Sequence, residues 1–136
     1  MPQAPDARYF ENIVSLHSPT GERSVTITAW IDTRHLYCVF PGSLLRELGC
    51  EPNGSRPDFN NYQSQPEYDA CDVLMSLGDG QSWHDLALYG PDDCECIVGR
   101  LALDSRVLEP DPEHRSFKKG VAMMVTPFYI GEVNRE

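Results

Sequence analysis

The side chains with the most chemical promise lie in "AWIDTRHLYCVFP", residues 29–41, where an apolar alternating run delivers Asp32 and is followed at once by Thr33, Arg34 and His35. A carboxylate at a strand end can act as a general acid or base. Paired with a second carboxylate it can activate a water, because two like charges sharing one proton split their pKa values. Three other constellations compete. Cys94 and Cys96 share a face if their segment is extended, and with His84 they could hold a metal; zinc sites, however, usually bring ligands in pairs from two segments, and the second pair is missing. The reading is no metal and no cofactor. Cys38 with His35 could form a thiol–imidazole pair, but at three residues apart on a strand the two face opposite sides. A Ser-His-Asp hydrolase would need a Gly-x-Ser-x-Gly elbow, which does not occur.

The bulk of the chain narrows the chemistry further. With 136 residues it is the size of one ordinary domain, and its 11 Lys and Arg against 21 Asp and Glu leave a net charge of -10. Phosphate binding needs a basic face, so nucleic acid is excluded as a partner. The surplus is local: residues 51–96 carry ten acids and one base, Arg56, which reads as a solvated acidic face, with basic peptides as the partner such a face would prefer. No apolar stretch reaches the ~20 residues of a membrane span, and the N-terminus lacks a basic region followed by an apolar core, so a cytoplasmic protein without a membrane partner is expected. Five cysteines, an odd number, fit reduced thiols better than a disulfide framework.

The elements that must position Asp32 follow from pattern. Residues 1–8 are polar with two prolines and read as a loose end. "YFENIVSL", "SPTGE" and "RSVTITAWID" read as strand, turn and strand, with Val25, Ile27, Ala29 and Ile31 on one face. "PGSLLRELG" has the proline start, leucine spacing and closing Gly49 of a helix of about two turns. "CEPNGSRPDFNNYQSQPEYDA" reads as a loop or exposed hairpin, and "YDACDVLMSLGDGQSWHDLALYG" as two strands about an Asp-Gly turn. "CECIVG" is a short apolar run, "RLALDSRVL" one or two helical turns, and "EPDPEHRSFKKG" a turn-rich link to the apolar "VAMMVTPFYIGEV". The sum is an all-β domain of barrel type.

Taken in order, three stretches resemble the retropepsin-like aspartic proteases. "AWIDTRHLYCVFPGSLLRELG" is similar to their active-site segment, an apolar strand leading to Asp-Thr/Ser-Gly-Ala and then a short helix ending in Leu-Gly. "CIVGRLAL" is similar to their second signature, an apolar pair, Gly-Arg and a short helix, and "VLEPDPEHRSF" to their closing segment. The resemblance spans residues 9–118 and leaves 119–136 as an apolar extension. It implies a small closed β-barrel with one or two short helices. It also implies an obligate homodimer in which Asp32 of each chain forms the dyad and Thr33 holds the two loops together through its hydroxyl. The implied activity is an aspartic endopeptidase acting on a peptide or protein substrate. Arg34, His35, Gly99 and, at the flap position, Asn60 and Asn61 would line the substrate cleft, with the run near Gly99 packed beneath the active-site loop.

The sequence departs from the family at three places: the active-site loop, position 36, where Leu36 replaces the aspartate that viral members pair with the Gly-Arg arginine (Arg100 here), and the flap region, which has no glycine near Asn60 and Asn61. In the loop, Arg34 and His35 stand where the family has glycine and alanine. A guanidinium about 5 Å from the dyad, at an effective dielectric near 20, favours ionised carboxylates by on the order of 3 kcal/mol, roughly two pKa units. Catalysis therefore requires Arg34 to turn outward, to solvent or to the acidic middle segment. The alternative is a catalytically degenerate dimer that keeps the fold as a peptide-binding or scaffolding module.

Overall fold

The computed structural model describes residues 7–58, 67–77, 81–106 and 108–119. Its first hairpin is β1 (Arg8–His17) against β2 (Ser24–Asp32), closed by a turn in which Gly21 adopts φ 82° and Ser18 N–H donates to the Arg23 carbonyl. In β2 Ala29 and Ile31 are buried and Val25 and Ile27 pack on the same core, while Ser24, Thr26 and Thr28 are exposed. This is the alternation expected of a half-buried strand. β1 opens at Arg8, inside the polar stretch that composition marks as a loose end.

The chain continues through β3 (Cys38–Pro41) into α1 (Gly42–Glu47). Pro41 stands at the N-cap, and Asp92 accepts the Ser43 N–H at 3.0 Å. At the other end Gly49, at φ 85°, lets its own N–H reach the Arg46 carbonyl and the Cys50 N–H reach Leu45. These are the paired bonds of a Schellman stop, which only a residue tolerant of the left-handed region allows. β4 (Gly54–Pro57) pairs antiparallel with β5 (Glu67–Leu77), so the proline-rich segment takes the hairpin form of the two expected. β5 pairs in turn with β6 (Trp83–Gly90), the hairpin anticipated from the Asp-Gly signal. β7 (Ile97–Val98) leads through Gly99 into α2 (Arg100–Ser105). The stretch read as a turn-rich link is instead a second small sheet, β8 (Leu108–Asp111) against β9 (Ser116–Lys119), anchored by Phe117 against Phe10 with ring centroids 5.5 Å apart.

The larger sheet has the order β1-β2-β7-β3-β6-β5-β4, and β1 also pairs with β5 over Val14–His17. The protein is thus mostly β, as the patterning requires. β7 arrives late in the chain yet lies between β2 and β3, parallel to the first and antiparallel to the second. Strands at the centre are buried on both faces: Cys38, Phe40, Cys71, Val73, Ala87, Tyr89 and Val98 join the main core, and Val39, Ala70, Leu88 and Ile97 form a second, smaller one. Each fully buried aliphatic or aromatic side chain contributes about 1.5–3 kcal/mol. No helix among the described residues is long and apolar enough to cross a membrane.

Candidate functional site

Asp32 ends β2 at the point where β7 enters beside it, and its side chain is fully buried. Burial of a carboxylate is tolerable only when its charge and lone pairs are met. Here they all are. Arg34 donates its backbone N–H and its Nε–H to Oδ1 at 3.1 and 2.9 Å, and its Nη2 to Oδ2 at 2.8 Å. Arg8 donates Nε–H to the same Oδ2 at 3.0 Å. Four donated bonds fill the roughly four acceptor sites of an ionised carboxylate. Burial is the largest single influence on this group and pushes its pKa up; the side chains of Arg34 and Arg8 and the Arg34 backbone outweigh it, so the carboxyl sits below the ordinary value.

Arg34 therefore turns inward onto Asp32, not outward to solvent or to the acidic segment as catalysis would require. The reason is local: the turn after β2, with His35 N–H on the Asp32 carbonyl, brings the Arg34 N–H onto Oδ1 and leaves the guanidinium just long enough to fork back onto both oxygens.

Arg8 is the residue that sequence reasoning missed. From His17↔Ser24 to Phe10↔Ile31 the β1–β2 register is constant, and continuing it would set Tyr9 opposite Asp32. A shift between Phe10 and Arg8 sets Arg8 there instead. Its guanidinium lies over the Trp30 ring at 4.6 Å and reaches Glu95 at 2.8 Å, completing a chain of alternating charge, Glu95–Arg8–Asp32–Arg34.

Thr33 is buried beside it. Its hydroxyl accepts from Ala7 N–H at 2.9 Å and donates to the Ala7 carbonyl at 3.2 Å, while its own N–H donates to the same carbonyl at 2.8 Å. Within this chain Thr33 thus ties the loop to the start of β1. His35 Nδ1 lies 3.2 Å from Asp58 Oδ1, just beyond β4, and the His35 carbonyl accepts the Arg100 N–H at 2.9 Å. Gly99 sits directly beneath the loop: a Cβ there would come within 2.5 Å of the Tyr37 carbonyl oxygen and 2.9 Å of the His35 carbonyl oxygen. Asn60 and Asn61 lie outside the described residues.

Asp32, Thr33, Arg34, His35 and Gly99 are therefore gathered in one place. The competing constellations are not. His84 is exposed on β6, and among the described residues it forms no three-ligand cluster with Cys94 and Cys96. Cys38 is buried, which pushes its thiol up to about 12, and the thiolate a nucleophile needs is out of reach near neutral pH. Compared with protein-family models, curated proteins and solved structures, the chain matches none.

Proposed function

We propose that this chain is a retropepsin-like domain whose catalytic carboxylate has become a structural ion, and that it serves, as a homodimer, to bind or scaffold peptide rather than to cleave it. The fold part of the reading is supported by the loop at the end of β2, by β7 seated between β2 and β3, by Gly99 beneath the loop with a helix after it, and by the β1–β5 pairing that lets the strands close into a small barrel. Five free cysteines support a reducing, cytoplasmic setting.

The non-catalytic part rests on one observation, the complete occupation of both Asp32 oxygens by N–H donors of Arg34 and Arg8. An aspartic peptidase needs one proton shared by two carboxylates and a water held between them. A protonated Asp32 would aim its hydrogen at a donor, and a water would find no acceptor site left. Two chains would bring two aspartates and four arginines to the axis, so electrostatics removes the shared proton as well.

The test is hydrolysis of a broad peptide library from pH 3.5 to 7.5 by the purified protein and by Asp32→Asn, with mass measured in the same samples. No cleavage by a folded dimer is expected. Cleavage that Asp32→Asn abolishes would restore the endopeptidase, and a folded monomer would remove the dimer from the proposal.

A further inference from the structure

Beside the Asp32 loop, over the second and smaller core, lies a groove of about 180 Å³. Val39 and Ile97 form its apolar floor, Tyr68 stands on one wall, and His35, Asp58 and Glu95 supply its polar edge. Its depth depends on Gly90. A Cβ there would come within 2.7 Å of Cys94 Sγ and 2.9 Å of Val39, both groove-lining residues, so a side chain would wedge into the wall.

Size limits the occupant. Cofactor and drug-like sites run to about 300 Å³ or more, whereas a cavity near 150 Å³ holds a benzene-sized group. A groove of about 180 Å³ has room for one side chain of a longer ligand. Charge limits it further. Among the described residues its lining carries two carboxylates, Asp58 and Glu95, beside the imidazole of His35. Asp92 and Asp93 are exposed on the turn that forms one end, and the single base of residues 51–96, Arg56, is held along its own strand by the Ser55 carbonyl. Asp58 meets His35 at its Oδ1, and Glu95, although Arg8 donates to both of its oxygens at 2.8 and 3.4 Å, keeps 57 % of its side chain exposed to a further cation.

From this complementarity we infer that the groove receives the side chain of a lysine or arginine in an extended peptide, its methylenes on Val39, Ile97 and Tyr68 and its cationic head between Asp58 and Glu95. The inference rests on the reading of this face as a peptide-binding surface and adds to it the class of peptide. A long basic side chain suits such a site because its stem is apolar and its head charged. The surrounding acidic surface would steer it there from a distance.

The experiment is fluorescence anisotropy at low and at physiological salt, using the full chain and an amidated peptide library with a central Lys, Arg, Leu or Glu, and arginine amide as the free-cation control. Asp58→Asn, Glu95→Gln and Asp72→Asn are compared after circular dichroism confirms that each is folded. The expected result is tightest binding of the Lys and Arg peptides, weakened about tenfold by Asp58→Asn and again by added salt, with Asp72→Asn without effect. Arginine amide alone should bind far more weakly than the peptide. Binding indifferent to the central residue would overturn the cationic site while leaving the peptide-binding function standing. Charge-dependent binding that Asp72→Asn weakens as much as Asp58→Asn would overturn it in favour of a diffuse acidic surface. No binding of any peptide would remove both.

Discussion

Replacing Asp32 by Asn keeps the shape of the side chain and removes its charge, which leaves four N–H donors facing a group that offers one oxygen and one NH2. In a peptidase dyad, solvated and built to exchange protons, that substitution abolishes turnover at little structural cost. Here it should cost stability. Removing one partner of a buried ion pair typically costs 3–5 kcal/mol. Arg8 and Arg34 keep 29 % and 37 % of their side chains in solvent and can rehydrate, so the low end applies. We expect a loss of about 3 kcal/mol near pH 7, roughly 10 °C in Tm for a domain of this size. The pH dependence gives an independent check. The folded-state pKa of Asp32 lies below its ordinary 3.8, so the ionised carboxylate stabilises the fold above that value and the contribution is lost as pH falls through the folded-state pKa. Urea titrations of wild type and Asp32→Asn should therefore show a constant gap from pH 5 to 8 that narrows below about pH 4. A gap under about 0.5 kcal/mol at neutral pH, in the range of an ordinary surface change, or one that widens in acid, would refute the idea of a structural ion.

Gly99→Ala should cost about 3 kcal/mol or more, because the new methyl meets the backbone of Tyr37 and His35, which cannot yield as a flexible side chain would. The Gly99 backbone, at φ -90°, is open to any residue, so this loss reports space alone; equal midpoints in a urea titration would contradict it. Tyr89→Phe removes a buried hydroxyl that donates to the Cys50 carbonyl at 2.6 Å, the link from β6 to the end of α1. A loss of about 1.5 kcal/mol is expected in thermal unfolding, and an unchanged Tm would show that the bond contributes nothing net.

Much of the scaffold is legible in the residues themselves. The β2 alternation, the glycine that stops α1 and the two apolar runs about an Asp-Gly pair are local signals, and the structure forms the corresponding elements. The β8–β9 hairpin escaped because "EPDPEHR" reads as turn by composition, while the contact that anchors it, Phe117 on Phe10, joins distant parts of the chain. The candidate site divides in the same way. Asp32 and its neighbours are adjacent in sequence and easily found, yet adjacency does not say which way Arg34 points; the turn geometry decides that. Arg8 was invisible because its place opposite Asp32 depends on a one-residue register shift.

The slot occupied by β7 has a consequence for how the protein is made. β2 and β3 are complete by residue 41, but the strand that joins them is residues 97–98. On a ribosome adding about 5–20 residues per second, the facing edges of β2 and β3 wait several seconds for their partner. During that interval Trp30 lacks the Cys96 carbonyl its N–H will bond, and Arg8 lacks Glu95. The first two-thirds of the chain should thus emerge as an open, edge-exposed intermediate, and the domain locks only when its last third arrives.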